Sequence, residues 1–217
     1  MISIRDLTKL PDIARLRQLC QSLAMLDAIL SPDWEFRYYS FNSRWSEGNE
    51  MASMRNGSGD DYFCLFNKSG AILKGFAHES LMSPYRLNPT SIWPGVMDNI
   101  PGEFANFLAE PAFSMEDTTF CIWRLRSDPA WQTGKVAFPD GPDPDGSKEL
   151  LSILDGKSVS YKTWAEDYYE IPVTLKAVTQ IYAHQPLTPK LVRALNEDVS
   201  LEQLQDDIKV IGYPHGG

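Results

Sequence analysis

Residues 50–79 constrain the fold more than any other stretch, because three strand-like segments are separated there by two tight-turn sequences. The turns are residues 56–60, NGSGD, and 67–70, NKSG, where asparagine and glycine supply the positive φ values that hairpins need. Between them, residues 62–66, YFCLF, are apolar on both faces. The pattern predicts an antiparallel meander whose middle strand is covered on both sides.

Further elements flank this meander. Residues 11–30 carry apolar side chains at spacings of three and four, which predicts an amphipathic helix with Pro11 in its first turn. Alternating aromatic residues predict a strand near 34–41. Aromatic and β-branched residues predict another strand at 118–126. The proline- and asparagine-rich residues 81–97 are typical of a long loop.

The last third of the chain differs in pattern from the rest. Residues 128–146 hold four prolines and three glycines, which predicts a loop. Residues 147–211 follow as a series of short helices, although the alternation within 173–183 also allows a strand there. The order of elements favours an α+β fold, an antiparallel sheet covered by helices with a helical C-terminal third. We expect a single domain over 1–217, with any sub-boundary in the 128–146 loop.

The formal net charge of −9 limits the classes of partner. An acidic protein repels phosphate backbones and anionic lipid surfaces, so we expect neither nucleic-acid nor membrane binding. Acidity suits a basic protein partner, although it also serves plain solubility. The charged first residues contain no secretory signal, and no stretch of about 18 apolar residues occurs. These features predict a cytoplasmic protein.

The acidic residues are dense over 140–170, which hold eight acids and three bases, a net charge of −5. Aromatic residues lie beside the acids of one predicted helix, a mixture that suits a protein-binding surface. The plainer interpretation is a solvated helix whose aromatic side chains face the core. If a basic partner exists, we expect it to contact five acidic residues: Asp143, Asp145, Glu166, Asp167 and Glu170.

A second hypothesis is a small hydrolase or ligand-binding protein with a cleft between the meander and the 81–97 loop. Histidine acts as a base near neutral pH and a carboxylate can orient it, which singles out His78 and Glu79. Glu116 and Asp117 precede a predicted strand and would complete the cleft. Adjacent residues on one strand point to opposite faces, which argues against Glu79 holding the His78 ring.

No motif for metal, cofactor or nucleophilic chemistry is present. The sequence contains no GxSxG, GxGxxG or GxxxxGK[ST] pattern, and we expect no cofactor. Asp143 and Asp145 match part of a calcium loop, but its first and last ligand positions fall on Gly141 and Ser152. Three scattered histidines and three widely spaced cysteines predict no metal site and no disulfide. Cys64 and Cys121 lie in apolar, strand-like runs, which predicts that each is a small buried hydrophobic residue.

Residues 100–113, IPGEFANFLAEPAF, predict a helix with a buried face that includes Phe104 and Phe107 and that ends at Pro111. This short stretch is similar to the proline-plus-FL helix of small bacterial immunity proteins of the SMI1/KNR4 type. The similarity covers about fourteen residues, and that family places the helix before its main strands rather than after three of them. Taken together, the sequence predicts a non-enzymatic protein-binding module, for instance an immunity or antitoxin-like acidic neutraliser.

Overall fold

The computed structural model describes residues 2–216. The first helix of the protein is α1 (Ile13–Leu30). The side chain of Asp12 accepts a 2.8 Å hydrogen bond from the backbone N–H of Arg15 and caps this helix. Pro11 therefore precedes the cap and does not occupy the first turn. The predicted apolar stripe is buried, and Leu16, Leu19 and Leu23 are 0% exposed.

Within residues 2–216, six antiparallel strands form one sheet in which the spatial order equals the sequence order. They are β1 (Tyr39–Ser46), β2 (Asn49–Arg55), β3 (Asp61–Phe66), β4 (Gly70–Phe76), β5 (Phe120–Leu125) and β6 (Gln132–Thr133). The predicted meander and the predicted strand at 118–126 are confirmed as β2 to β5. β6, and the hairpin that joins β1 to β2, were not predicted, because their exposed polar residues resemble a loop.

The predicted strand near 34–41 is wrong in its first half. Residues 34–36 form one turn of 3-10 helix, closed by a 3.2 Å hydrogen bond from Arg37 N–H to Trp34 O, and β1 begins only at Tyr39. The reason is the length of the neighbouring strand, since β2 ends at Arg55 and leaves no partner for earlier residues. Trp34 and Phe36 are consequently 55% and 58% exposed.

The remaining helices are short. They are α2 (Ala105–Leu108), α3 (Ser147–Leu150), α4 (Ser158–Tyr169), α5 (Leu175–Tyr182), α6 (Pro189–Arg193) and α7 (Gln205–Ile211). The ambiguous stretch 173–183 is thus mainly helical. Ser200 and Gln203 form the reciprocal hydrogen bonds of a capping box, as their spacing suggests, but α7 starts only at Gln205.

Two hydrophobic cores lie on opposite faces of the sheet. The larger one packs α1 and the C-terminal helices against one face, which receives Tyr62, Cys64 and Phe66 of β3. The smaller one covers the other face with residues 82–113 and receives Leu65. The middle strand of the meander is therefore covered on both sides, as its sequence predicts.

The helical third packs onto the rest of the molecule. α5 and α7 contact α1, and α7 also contacts β1. None of the helices within residues 2–216 has the length and apolar character that crossing a bilayer requires.

Candidate functional site

Two of the predicted partner-binding residues, Asp143 and Asp145, are engaged within the fold: Asp143 accepts hydrogen bonds from a helix, and Asp145 is buried. The carboxylate of Asp143 accepts hydrogen bonds from the backbone N–H groups of Lys148 (3.0 Å) and Glu149 (3.1 Å), which caps α3. Asp145 is 1% exposed, and burial raises the pKa of its carboxyl to about 6. A partner cannot reach a side chain buried to this degree, so Asp145 does not belong to a contact surface.

The other three predicted residues lie at the end of α4. Glu166 forms an ion pair with Lys162, which lowers the pKa of Glu166, and it accepts a 3.0 Å hydrogen bond from the backbone N–H of Val173. Asp167 is exposed. Glu170 is also exposed and ends the helix in the left-handed conformation at φ 55°. Asp167 and Glu170 are thus the two carboxylates that this helix leaves to solvent.

An aromatic stack lies beside these carboxylates. The rings of Trp164 and Tyr168 are parallel within 13° with centroids 5.2 Å apart. The ring of Tyr38 packs edge-on against both, with its centroid 4.8 Å from that of Trp164 and 5.1 Å from that of Tyr168. Tyr161 is fully buried, whereas Tyr168 is 42% exposed. Some aromatic side chains of α4 are therefore buried in the core, and others are exposed to solvent.

The buried residue Asp27, which was not among the predicted residues, is hydrogen-bonded to residues of the stack and to its neighbours. Asp27 is 0% exposed, and its Oδ2 accepts hydrogen bonds from the backbone N–H groups of Tyr38 (3.0 Å) and Tyr39 (2.7 Å). Its Oδ1 accepts one from the Tyr161 hydroxyl at 2.7 Å. Burial raises the pKa of Asp27 to about 6 despite these bonds. A signal existed, because a carboxylate seven positions after Cys20 sits inside the apolar stripe of α1.

The predicted pair His78 and Glu79 lies in the turn after β4, outside the strand. There Glu79 does reach the ring, with Oε1 3.4 Å from Nε2, so the strand argument against this contact does not apply. The closer partner is Asp60, whose Oδ1 lies 2.7 Å from Nδ1 and accepts the His78 backbone N–H at 2.8 Å. The hydrogen bond to Asp60 is the main cause that raises the pKa of His78.

Asp117 belongs to a different network, centred on Lys74. This lysine is 0% exposed in the middle of β4, where its ammonium forms a 3.0 Å ion pair with Asp61 and donates to Asp117 O at 2.9 Å. The Asp117 carboxylate accepts a 2.7 Å hydrogen bond from the Tyr85 hydroxyl. Lys74 was not among the predicted residues, although a lysine inside the apolar run AILKGF indicates a buried, paired charge.

The four residues of the hydrolase hypothesis therefore do not form one constellation. No hydrogen bond or ion pair within residues 2–216 joins His78 or Glu79 to Glu116 or Asp117, and Glu116 is exposed. The 81–97 loop does approach both networks, since Tyr85 binds Asp117 and Arg86 donates to the carbonyl oxygen of Glu79 at 2.8 Å.

The described residues contain no cluster of metal ligands and no exposed thiol. In the described part of the chain, no three His, Cys, Asp or Glu side chains are placed to hold a metal ion. Cys20, Cys64 and Cys121 are buried free thiols, and burial raises the pKa of Cys20 and Cys121 to about 12. Thiols in this environment are unreactive, which agrees with the prediction made for Cys64.

A scan against protein-family models gave no match, and searches of the curated proteins and of the solved structures gave no significant match either.

Proposed function

We propose that this chain is a cytoplasmic, non-enzymatic protein-binding module, an acidic neutraliser of immunity or antitoxin type that binds a basic protein. The contact region is the α4 surface, defined as Tyr38, Trp164, Asp167, Tyr168 and Glu170. The observation that carries the proposal is the exposed, stacked Tyr168 ring beside two free carboxylates. Exposed aromatic side chains are enriched in protein interfaces.

The packing of the aromatic stack supports this role. Tyr168 is held by Trp164 and Tyr38, and the backbone of Tyr38 is bound to the buried Asp27. A side chain that is already ordered loses less conformational entropy when a partner binds. The α4 surface thus presents a preorganised aromatic anchor.

The shape beside the stack gives a partner side chain a place to pack. A shallow depression follows α4 and is lined by Ile153, Val159, Thr163, Trp164 and Asp167 among others. Val159 is 51% exposed there. An apolar floor with an acidic rim suits the mixed apolar and basic surface of a cationic protein.

Charge adds attraction over a longer range. The net charge of −9 for the chain includes −5 from residues 140–170, from their eight acids and three bases. Complementary fields raise association rates more than they slow dissociation. A basic partner would therefore be attracted to the molecule before close contact forms.

The experiment compares two double variants in capture from native lysate, followed by association kinetics with the captured basic protein. Asp167→Asn with Glu170→Gln removes the charges of the α4 surface, and Glu197→Gln with Glu202→Gln is the matched control at exposed acids elsewhere. We expect the first variant to slow association about tenfold at low salt and to flatten its salt dependence. Equal association rates for the two variants would contradict the proposal.

A second candidate function, a small hydrolase or ligand-binding protein, is favoured by the Asp60–His78 pair alone. A carboxylate that orients a histidine is the arrangement of a general base. Glu79 weakens this candidate, since its carboxylate lies 3.4 Å from Nε2, the nitrogen that would take a substrate proton. Hydrolysis of generic ester or phosphoester substrates that is lost in His78→Ala, with the fold intact, would establish it.

A further inference from the structure

A cleft on the opposite face of the sheet from α4 is lined by polar, acidic and aromatic side chains. It lies where the end of the β1–β2 hairpin meets residues 103–113, and it encloses about 110 Å³. That volume is well above the roughly 10–15 Å³ that a single water needs. Trp45, Asn49, Glu103, Asn106, Glu110 and Phe113 are among its lining residues. We call it the hairpin cleft.

The polar groups of the hairpin cleft include several open acceptors. Glu103 makes no hydrogen bond or ion pair within the described residues. Glu110 accepts one bond at Oε1, from the backbone N–H of Ala112 at 3.1 Å, which leaves Oε2 open. Asn49 uses its Nδ2 to donate to Ser46 Oγ at 2.9 Å, so its Oδ1 is open as well. These acceptors suit a ligand that donates hydrogen bonds.

The charge of the hairpin cleft has one sign. Two carboxylates line it, and no lysine, arginine or histidine is among the described residues that do so. Two partly exposed carboxylates with no cation between them create a negative potential that a cationic group relieves.

Aromatic rings complete the lining. The ring of Trp45 stacks on that of Phe113 with centroids 5.9 Å apart, and Phe113 packs against Phe107 with centroids 4.7 Å apart. The faces of aromatic rings attract ammonium and guanidinium groups, and tryptophan does so most strongly. Apolar rings also accommodate the methylene stem of a long basic side chain.

We infer that the hairpin cleft binds the side chain of an arginine or lysine from a protein. Glu103 and Glu110 pair with the cationic head group, Asn49 accepts one of its N–H groups, and Trp45 covers its flat face or its stem. The inference rests on the proposed function in naming a basic protein as the source of the cation. It adds a second contact point, separate from the α4 surface, on the other side of the sheet.

The test uses the full chain labelled with ¹⁵N and follows the indole N–H of Trp45, assigned with Trp45→Phe. The probe is N-acetyl-arginine amide, and the nearly isosteric neutral comparator is N-acetyl-citrulline amide. We expect the Trp45 signal to shift and saturate with the arginine probe. The citrulline comparator should bind at least about tenfold more weakly, because hydrogen bonds to charged groups are stronger than those to neutral groups. A tripeptide Gly-Arg-Gly should bind like the amide.

Variants separate this cleft from the rest of the surface. Glu103→Gln with Glu110→Gln should weaken the arginine probe about tenfold or more, whereas Glu197→Gln with Glu202→Gln should not. If the double variant is less stable, Glu103→Gln alone serves, because Glu103 is exposed. The inference is overturned if the Trp45 signal does not saturate, if citrulline binds equally, if the glutamate variants bind as the wild type does, or if the tripeptide does not bind.

Failure of this inference differs from failure of the proposed function. Asp167→Asn with Glu170→Gln should leave the affinity of the arginine probe unchanged, because those residues do not line the hairpin cleft. Absent probe binding together with slowed partner association in that variant would leave the proposed function standing without the cleft. The reverse result would retain the cleft and remove the α4 surface.

Discussion

The hydroxyl of Tyr161 donates a 2.7 Å hydrogen bond to Oδ1 of Asp27, a residue 134 positions earlier in the chain. The same carboxylate accepts the backbone N–H groups of Tyr38 and Tyr39. One buried side chain of α1 thereby joins α4 to the start of β1, directly beneath the aromatic stack. The position of the α4 surface depends on this link.

Replacing Asp27 tests that dependence. Asp27→Ala leaves the N–H groups of Tyr38 and Tyr39 and the buried hydroxyl of Tyr161 without their acceptor, and we expect a loss of about 3 kcal/mol or more in the free energy of unfolding. Asp27→Asn keeps an acceptor oxygen and should cost less than half as much. Urea unfolding of both variants measures the difference, and equal losses would show that the hydrogen bonds of Asp27 contribute little.

The stability of the protein should also depend on Asp27 through pH. Its folded-state pKa of about 6 lies above the ordinary value of 3.8, so the folded protein holds the proton more tightly. The contribution of Asp27 to the free energy of unfolding is therefore largest below about pH 4. It falls by about 3 kcal/mol as the pH rises to about 6, and it stays constant above that pH.

The measurement is the difference between the stability–pH curves of the wild type and Asp27→Asn. The difference removes opposing contributions, such as that of Glu166, whose pKa is lowered. Asp145→Asn should remove a fall of the same sign, since burial also raises the pKa of Asp145 to about 6. A difference curve that is flat between pH 4 and pH 6 would refute the assignment.

The ion pair between the buried Lys74 and the partly buried Asp61 predicts non-additive mutations. Lys74→Met leaves the Asp61 carboxylate without its cation, and we expect a loss of about 2 kcal/mol or more. It should also raise the pKa of Asp61 further, because Lys74 now opposes the effect of burial. Adding Asp61→Asn should recover part of the loss. A double-mutant cycle by urea unfolding tests this, and additive losses would mean the two charges do not interact.

The titration of His78 should depend on Asp60. Its pKa is raised chiefly by the hydrogen bond to Asp60, so Asp60→Asn should lower the pKa of His78 toward the ordinary value of 6.5. Glu79→Gln should have a smaller effect in the same direction. NMR titration of the imidazole measures both, and a larger effect from Glu79 would reverse the order of these two carboxylates.

Local patterns were sufficient for much of the fold. The turn sequences at 56–60 and 67–70 and the apolar strands around them predicted three paired strands, because hairpin register depends on neighbouring residues. The stripe of α1 was equally clear. The strand near 34–41 failed because alternation alone does not show where a pairing strand ends, and β2 ends at Arg55.

The candidate site was less predictable. The sequence showed that residues 140–170 are acidic, but not that Asp145 is buried or that Asp143 caps a helix. It named Glu79 as the candidate carboxylate next to His78 and argued against contact between them, whereas Glu79 does reach the ring and the closer carboxylate is Asp60 from the turn before β3. Contacts between residues far apart in sequence leave no local pattern.

The sequence by itself determined the α+β class, the central meander and the negative charge, because these follow from composition and from interactions between near neighbours. Only the tertiary structure decided which acids face solvent, that Tyr168 stacks on Trp164 in the open, and that Asp27 and Lys74 are buried with partners. The physical reason is that the burial and pairing of a charge depend on the elements packed around it, and those elements come from distant parts of the chain.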